Sequence, residues 1–193
     1  MLRRFVIIIL ACVFASCSLP ETKIYSLYLP RDKDAKNTKA VSSLTIRLDS
    51  PRYLAQPYIA RRNSPYELSI SKYSKWDAAP HDLVKEAFRE TIAAMGLLRE
   101  IRSSNAESVD FYVLVIHLTK FEMLETTEGA FGEMEFDAVL FSPENKELFH
   151  LHVSKEKKLN DKTFASLAKA LSNGLAEGIN EVKSGISDVL PAR

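Results

Sequence analysis

The chain has 193 residues, 46% of them apolar and 26% charged, with 26 Lys and Arg against 25 Asp and Glu. These fractions are globular rather than disordered, and a formal net charge of +1 excludes the basic footprint of a nucleic-acid binder. Two cysteines in the whole chain exclude a disulfide framework.

The N-terminus reads as an address. Residues 1–17 are MLRRFVIIILACVFASC. Arg3 and Arg4 give a positive start, and Phe5 to Phe14 form an apolar run far short of the ~20 residues a transmembrane helix needs. A secretory signal peptide over residues 1–16 is the expectation. Ala15-Ser16-Cys17 resembles the bacterial lipobox, with Phe14 where leucine is usual, so Cys17 is the expected lipidation site and first residue of the mature protein. The alternative is an ordinary signal peptide with a chance cysteine. Cys12 would leave with the signal peptide, and the mature chain then has no internal disulfide. Ser18 follows Cys17, not the aspartate that resembles an inner-membrane retention signal. The expected location is therefore the outer membrane, on its periplasmic face, anchored by lipid rather than spanning. Cleavage before Cys17 takes 16 of the 193 residues and leaves 177, with 24 Lys and Arg against 25 Asp and Glu. Residues 17–23 are then a tether and 24–193 a single domain.

Ile24 to Leu29 alternates as a first strand, ended by Pro30. RDKDAKNT, residues 31–38, is a charged loop. Val41 to Asp49 is a second strand stopped by Ser50-Pro51. The next stretch, PRYLAQPYIARR at 51–62, interleaves arginines with tyrosines and holds two prolines. Proline cannot donate to a strand ladder, which predicts a sheet edge or exposed loop here. Tyr58 to Arg62 pairs as a hairpin with the alternating Tyr66 to Ser71 across the turn Asn63-Ser64-Pro65.

A helix is predicted from about Ala79 to Met95, with Pro80 in its first turn, Asp82 at its positive end and Gly96 as a stop. Val84, Ala87, Phe88, Thr91, Ile92 and Met95 form its buried face. Asp110 to Met123 is apolar on both faces and predicts the central strand. Met134, Phe136, Ala138 and Leu140 alternate with Glu133, Glu135, Asp137 and Val139, and the chain returns after Ser142-Pro143 through Phe149, Leu151 and Val153 as a hairpin. Asp161 or Thr163 caps a last helix, whose apolar residues run from Phe164 to Ile186 at spacings of three and four. Gly174 and Gly178 within it predict close packing on the sheet. The fold class is α+β: one domain, a largely antiparallel or mixed sheet, two helices on one face.

Tyr25, Leu27, Pro51, Tyr53, Leu54, Pro57, Ile59, Arg62, Leu68 and Trp76 together resemble the signature of the ABC-type transport auxiliary lipoproteins. Ile116, Leu118, Phe121 and Glu122 are similar to that family's central-strand ending. One departure is Pro80, four residues after Trp76 where the family tends to have proline three on. The resemblance implies a non-enzymatic accessory subunit at the outer-membrane end of a lipid transport system. Its partners would be a mammalian-cell-entry-type periplasmic protein and an ABC transporter, with self-association as a further possibility. Tyr53, Leu54, Pro57, Tyr58, Arg61 and Arg62 are the candidate partner-binding residues, with the alternative that the tyrosines cover the core and the arginines are solvated. Trp76 is expected in the core.

No catalytic constellation stands out, and no cofactor is implied: the chain has no Gly-x-Ser-x-Gly and no phosphate-cradling glycine loop. His150 and His152 beside Asp137 are the nearest approach to zinc ligands, but a polar outer sheet face with cross-strand pairing is the expectation. His81 and His117 are isolated. A structural envelope lipoprotein and a lipoprotein hydrolase are the rival functions.

Overall fold

The computed structural model describes residues 21–30, 42–95, 98–102 and 111–190. The expected signal peptide, Cys17 and the loop at 31–38 lie outside them. The organising strand is β6 (Tyr112–Thr126), which pairs along its length with β7 (Gly129–Phe141), and β7 pairs in turn with β8 (Glu147–Lys158), both antiparallel. The other edge of β6 is shared. β2 (Ser42–Asp49) runs parallel to its first half, and β3 (Tyr58–Ser64) parallel to its last turn of ladder, Arg61 facing Met123 and Arg62 facing Leu124. Outside β2 lies β5 (Leu98–Arg102), and outside β3 lie β4 (Glu67–Trp76) and then β1 (Lys23–Tyr25). The result is an eight-stranded mixed sheet.

Helices α1 (Pro80–Ala93) and α2 (Phe164–Val189) cover one face. The fold is α+β, as expected. Both helices meet at Phe136: the Phe88 ring of α1 stands edge-on to it at 5.4 Å, and Gly178 of α2 passes so close that a Cβ there would lie 3.1 Å from the same ring. Strict alternation in β7 puts Met134, Phe136, Ala138 and Leu140 under the helices, leaving Glu133, Glu135 and Asp137 on the opposite face. In β6 a bulge between Leu118 and Lys120 shifts the phase by one residue. Leu114, Ile116 and Leu118 before it, and Phe121 and Met123 after it, therefore all face the core. Thr163 is the cap of α2, its hydroxyl accepting from the Ser166 amide at 3.1 Å. Trp76 is buried edge-on against Phe121, as expected.

Two expectations need correction, and one strand has no counterpart among them. The first strand ends at Tyr25 rather than Leu29, because the chain turns away: the Tyr28 amide donates to Ser172 Oγ of α2 at 3.0 Å, while Leu27 and Leu29 pack on the core. β5 had no sequence signal assigned to it. Most consequential, β3 is not a sheet edge, since it is flanked by β4 and β6. The prolines do not prevent this because both precede the strand. Pro51 caps a short 3-10 turn, Arg52–Ala55, and Pro57 uses its carbonyl to accept from the Trp76 amide at 2.9 Å.

Candidate docking site

The site is built around Glu122. Its neighbours Phe121 and Met123 point into the core, so its own side chain lies on the helix-free face, yet it is 0% exposed. Two residues of the 51–62 segment cover it. The Arg62 guanidinium donates to both carboxylate oxygens, the longer bond from Nη2 being 3.3 Å. The Tyr53 hydroxyl lies 3.0 Å from Oε2 and 3.2 Å from the Thr119 carbonyl. A buried carboxylate is costly unless its lone pairs are filled, and here they are filled by charge-assisted bonds. Burial, then the Glu122 charge, raises the Tyr53 hydroxyl far above its ordinary range, and the hydrogen bond to Glu122 holds the Arg62 guanidinium more firmly protonated. Tyr53 thus stays a donor.

Arg61, one residue away, faces the helices. It pairs with Glu125 at 3.1 Å and lies over the Phe164 ring at 5.6 Å, while Lys162 approaches Glu125 at 3.4 Å. Phe164 also meets the Tyr25 ring edge-on at 6.0 Å, tying β1 to the start of α2. A shallow open hollow of about 230 Å³ lies here, lined by Ile59, Arg61, Ser69, Ile70, Ser71 and Phe164. Its walls carry no second charged group.

The six candidate partner residues therefore divide. Leu54 is fully buried in the core and cannot meet a partner, and Arg62 is committed to Glu122. Tyr53 is half-buried by the same commitment. Pro57, Tyr58 and part of Arg61 remain accessible, with Lys75 above the Tyr58 ring at 5.7 Å. Arg52 and Gln56, exposed on the 3-10 turn and its C-terminal cap, complete the outward surface. Sequence reasoning singled out Glu122 without giving it a role; a lone acid inside the apolar run Phe121-Met123-Leu124 was the available signal.

His150 and His152 sit on the helix-free face at the far side of the sheet. Asp137 faces His152 in register, as expected, and its Oδ1 accepts from His152 Nδ1 at 3.1 Å and His150 Nε2 at 3.2 Å. Burial acts to raise the Asp137 carboxyl, but the bonds from His150 and His152 outweigh it and hold the group below its usual value. Both rings aim at one oxygen rather than at a common open point. Lys120 bridges Glu133 and Glu135 nearby at 2.8 and 2.9 Å. His117 pairs with Asp49 at 2.6 Å and His81 with Ser50 at 3.0 Å. Among the described residues, no group of three or more such side chains is arranged for a metal ion, and no helix is long and apolar enough to cross a membrane.

The family profile described as ABC-type transport auxiliary lipoprotein component matches residues 25–182. The chain belongs to that family. The match runs from Tyr25 at the end of β1 to Val182 on α2, and so takes in Tyr53, Arg62 and Glu122. The auxiliary-lipoprotein fold recurs in a crystallised protein from Xanthomonas campestris, at 17% identity and a TM-score of 0.72, over 86% of this chain and 94% of that one. An uncharacterised protein of known structure is similar at 16% identity and a TM-score of 0.69, over 86% and 99%. At such identities the likeness is one of fold. No curated protein sequence matches the chain. Within the fold, the residues that carried the family resemblance gather around β3. Leu54, Ile59 and Trp76 lie in the core beneath it, and Tyr53 and Arg62 bolt it to β6.

Proposed function

We propose that this auxiliary lipoprotein is a periplasmic accessory subunit, held at the outer membrane by acyl groups on Cys17, of an ABC and mammalian-cell-entry-type system that moves lipids between membranes. It works by docking, not by catalysis. The observation that carries the reading is the family match across residues 25–182. The signal-peptide and lipobox pattern of residues 1–17 supports the address. Arg52, Gln56, Pro57 and Tyr58 form the docking surface, with the Tyr53–Arg62–Glu122 cluster fixing the segment from behind. Tyrosine and arginine offer large contact area and directional charge, the usual anchors of an interface.

The test is co-purification of the acylated chain with the mammalian-cell-entry-type protein of the same system. Arg52→Ala combined with Tyr58→Ala is expected to lose the complex while the melting temperature stays at the parent value. Retained co-purification would assign the segment to surface cover and overturn the docking role.

A further inference from the structure

Among the described residues, the large apolar side chains left in water all lie on or next to β1, β3 and β4. Ile24 and Tyr28 flank the end of β1, and Tyr58, Tyr66, Ile70 and Tyr73 all belong to β3, β4 or the turn between them. β6, β7, β8 and both helices contribute none. The extreme case is Tyr66, 98% exposed at the tip of the β3–β4 hairpin beside Pro65. A fully solvated ring at a hairpin tip contributes nothing to the fold.

The direction of β1 says what lies against this surface. β1 runs parallel to β4, with Lys23 facing Ser74 and Tyr25 facing Trp76. Lys23, the first residue of β1, therefore lies on the side of Tyr25 that faces the Tyr66 turn. Cys17 precedes Lys23 by six residues, a reach of at most about 21 Å. Ser74 lies a similar distance beyond the turn, seven residues from Glu67 or about 23 Å at strand rise. An acyl anchor at Cys17 thus keeps the bilayer within reach of the β1–β4 edge and its tip.

We propose that the β1–β4 edge is a lipid-facing surface, with the Tyr66 ring seated in the headgroup region of the membrane that holds the anchor. Tyrosine suits that depth, its ring apolar and its hydroxyl wet. Ile24, Ile70 and Tyr73 line the same edge. The inference rests on the reading of Cys17 as the acylated residue.

The acylated full chain, reconstituted into phosphatidylethanolamine and phosphatidylglycerol vesicles with brominated acyl chains, provides the test. Trp76 is the single tryptophan and is 2% exposed in the core, so its emission in the parent protein stays unchanged by bromine. Tyr66→Trp adds an indole where no packing is disturbed. That added emission is expected to shift to the blue and to be largely lost on bromination. Lys146→Trp, in the β7–β8 turn at the opposite end of the sheet, is expected to remain unquenched. Flotation of the Tyr66→Trp variant with an unquenched, water-like signal from its added indole overturns the lipid-facing surface while leaving the anchor standing. A blue shift that bromine does not touch overturns it in favour of a protein contact, and equal quenching in the Lys146→Trp variant removes its specificity. Failure of the chain to float overturns the anchor and this surface together.

Discussion

Arg62 and Glu122, 60 residues apart, are joined through both oxygens of the carboxylate and clamp β3 to β6. The backbone ladder between those strands consists of just two facing pairs, at Arg61 and Arg62. The side-chain link therefore supplements the shortest backbone ladder of the sheet, and does so with the acid completely out of water. Removing one partner of such a pair strands a buried charge.

Arg62→Ala is accordingly expected to lower stability by about 3 kcal/mol and Tyr53→Phe by about 1 kcal/mol, read from urea unfolding midpoints. Arg62→Ala with Glu122→Ala should cost less than the two single changes summed, since the double variant leaves no unpaired charge. A loss below about 0.5 kcal/mol for Arg62→Ala would show that the clamp is not structural.

Gly174 and Gly178, two of the three glycines of α2, should respond in opposite directions. A Cβ at Gly174 would meet Lys155 Cβ at 3.4 Å, ordinary contact, so Gly174→Ala gains up to about 1 kcal/mol of helix propensity. A Cβ at Gly178 would lie 2.9 Å from Val153 and 3.1 Å from Phe136, both fixed in the core. Gly178→Ala should lose about 1–3 kcal/mol through overpacking. Thermal melts of the two variants side by side decide this, and equal shifts would contradict the packing of α2.

Asp137 makes the acid side of the stability profile steeper. Its carboxyl is held below the usual value by His150 and His152 against the effect of burial. The unfolded chain therefore binds the proton first as pH falls, so the contribution is present above the ordinary value of about 3.9 and fades below it. Asp137→Asn should flatten the dependence of melting temperature on pH in that acid range. An unaltered acid limb would show that the cluster has no part in folding.

Cys17→Ser is expected to abolish incorporation of radiolabelled palmitate, because the thiol is the acceptor that the lipobox pattern provides. Continued labelling of the variant would refute the anchor.

Local patterns in the sequence carried the β7–β8 hairpin, both helices and the Thr163 cap, since alternation, helical spacing and capping chemistry are each readable within a few residues. What pairs with what over long separations was not readable. The prolines of 51–62 suggested an edge, but they act only on residues 51 and 57, and the strand proper starts at Tyr58. Leu98–Arg102 is short and mostly charged, so β5 had no alternation long enough to notice. Arg62 looked free because its partner is an acid whose burial depends on a bulge between Leu118 and Lys120, and no local signal marks that phase shift.

The placement of β6 also sets a schedule. β2 and β3 lie beside a strand that begins at Tyr112 and ends at Thr126, so in a chain that emerges N-terminus first neither has its central neighbour until well over half has been delivered. Until then the N-terminal half owns a hairpin, a helix and an isolated parallel pair, none of which closes a core by itself. β7 and β8 follow by tight turns and zip quickly onto β6. Any holding factor that guards this protein in transit would find its substrate in residues 42–111, and would be released when β6 arrives.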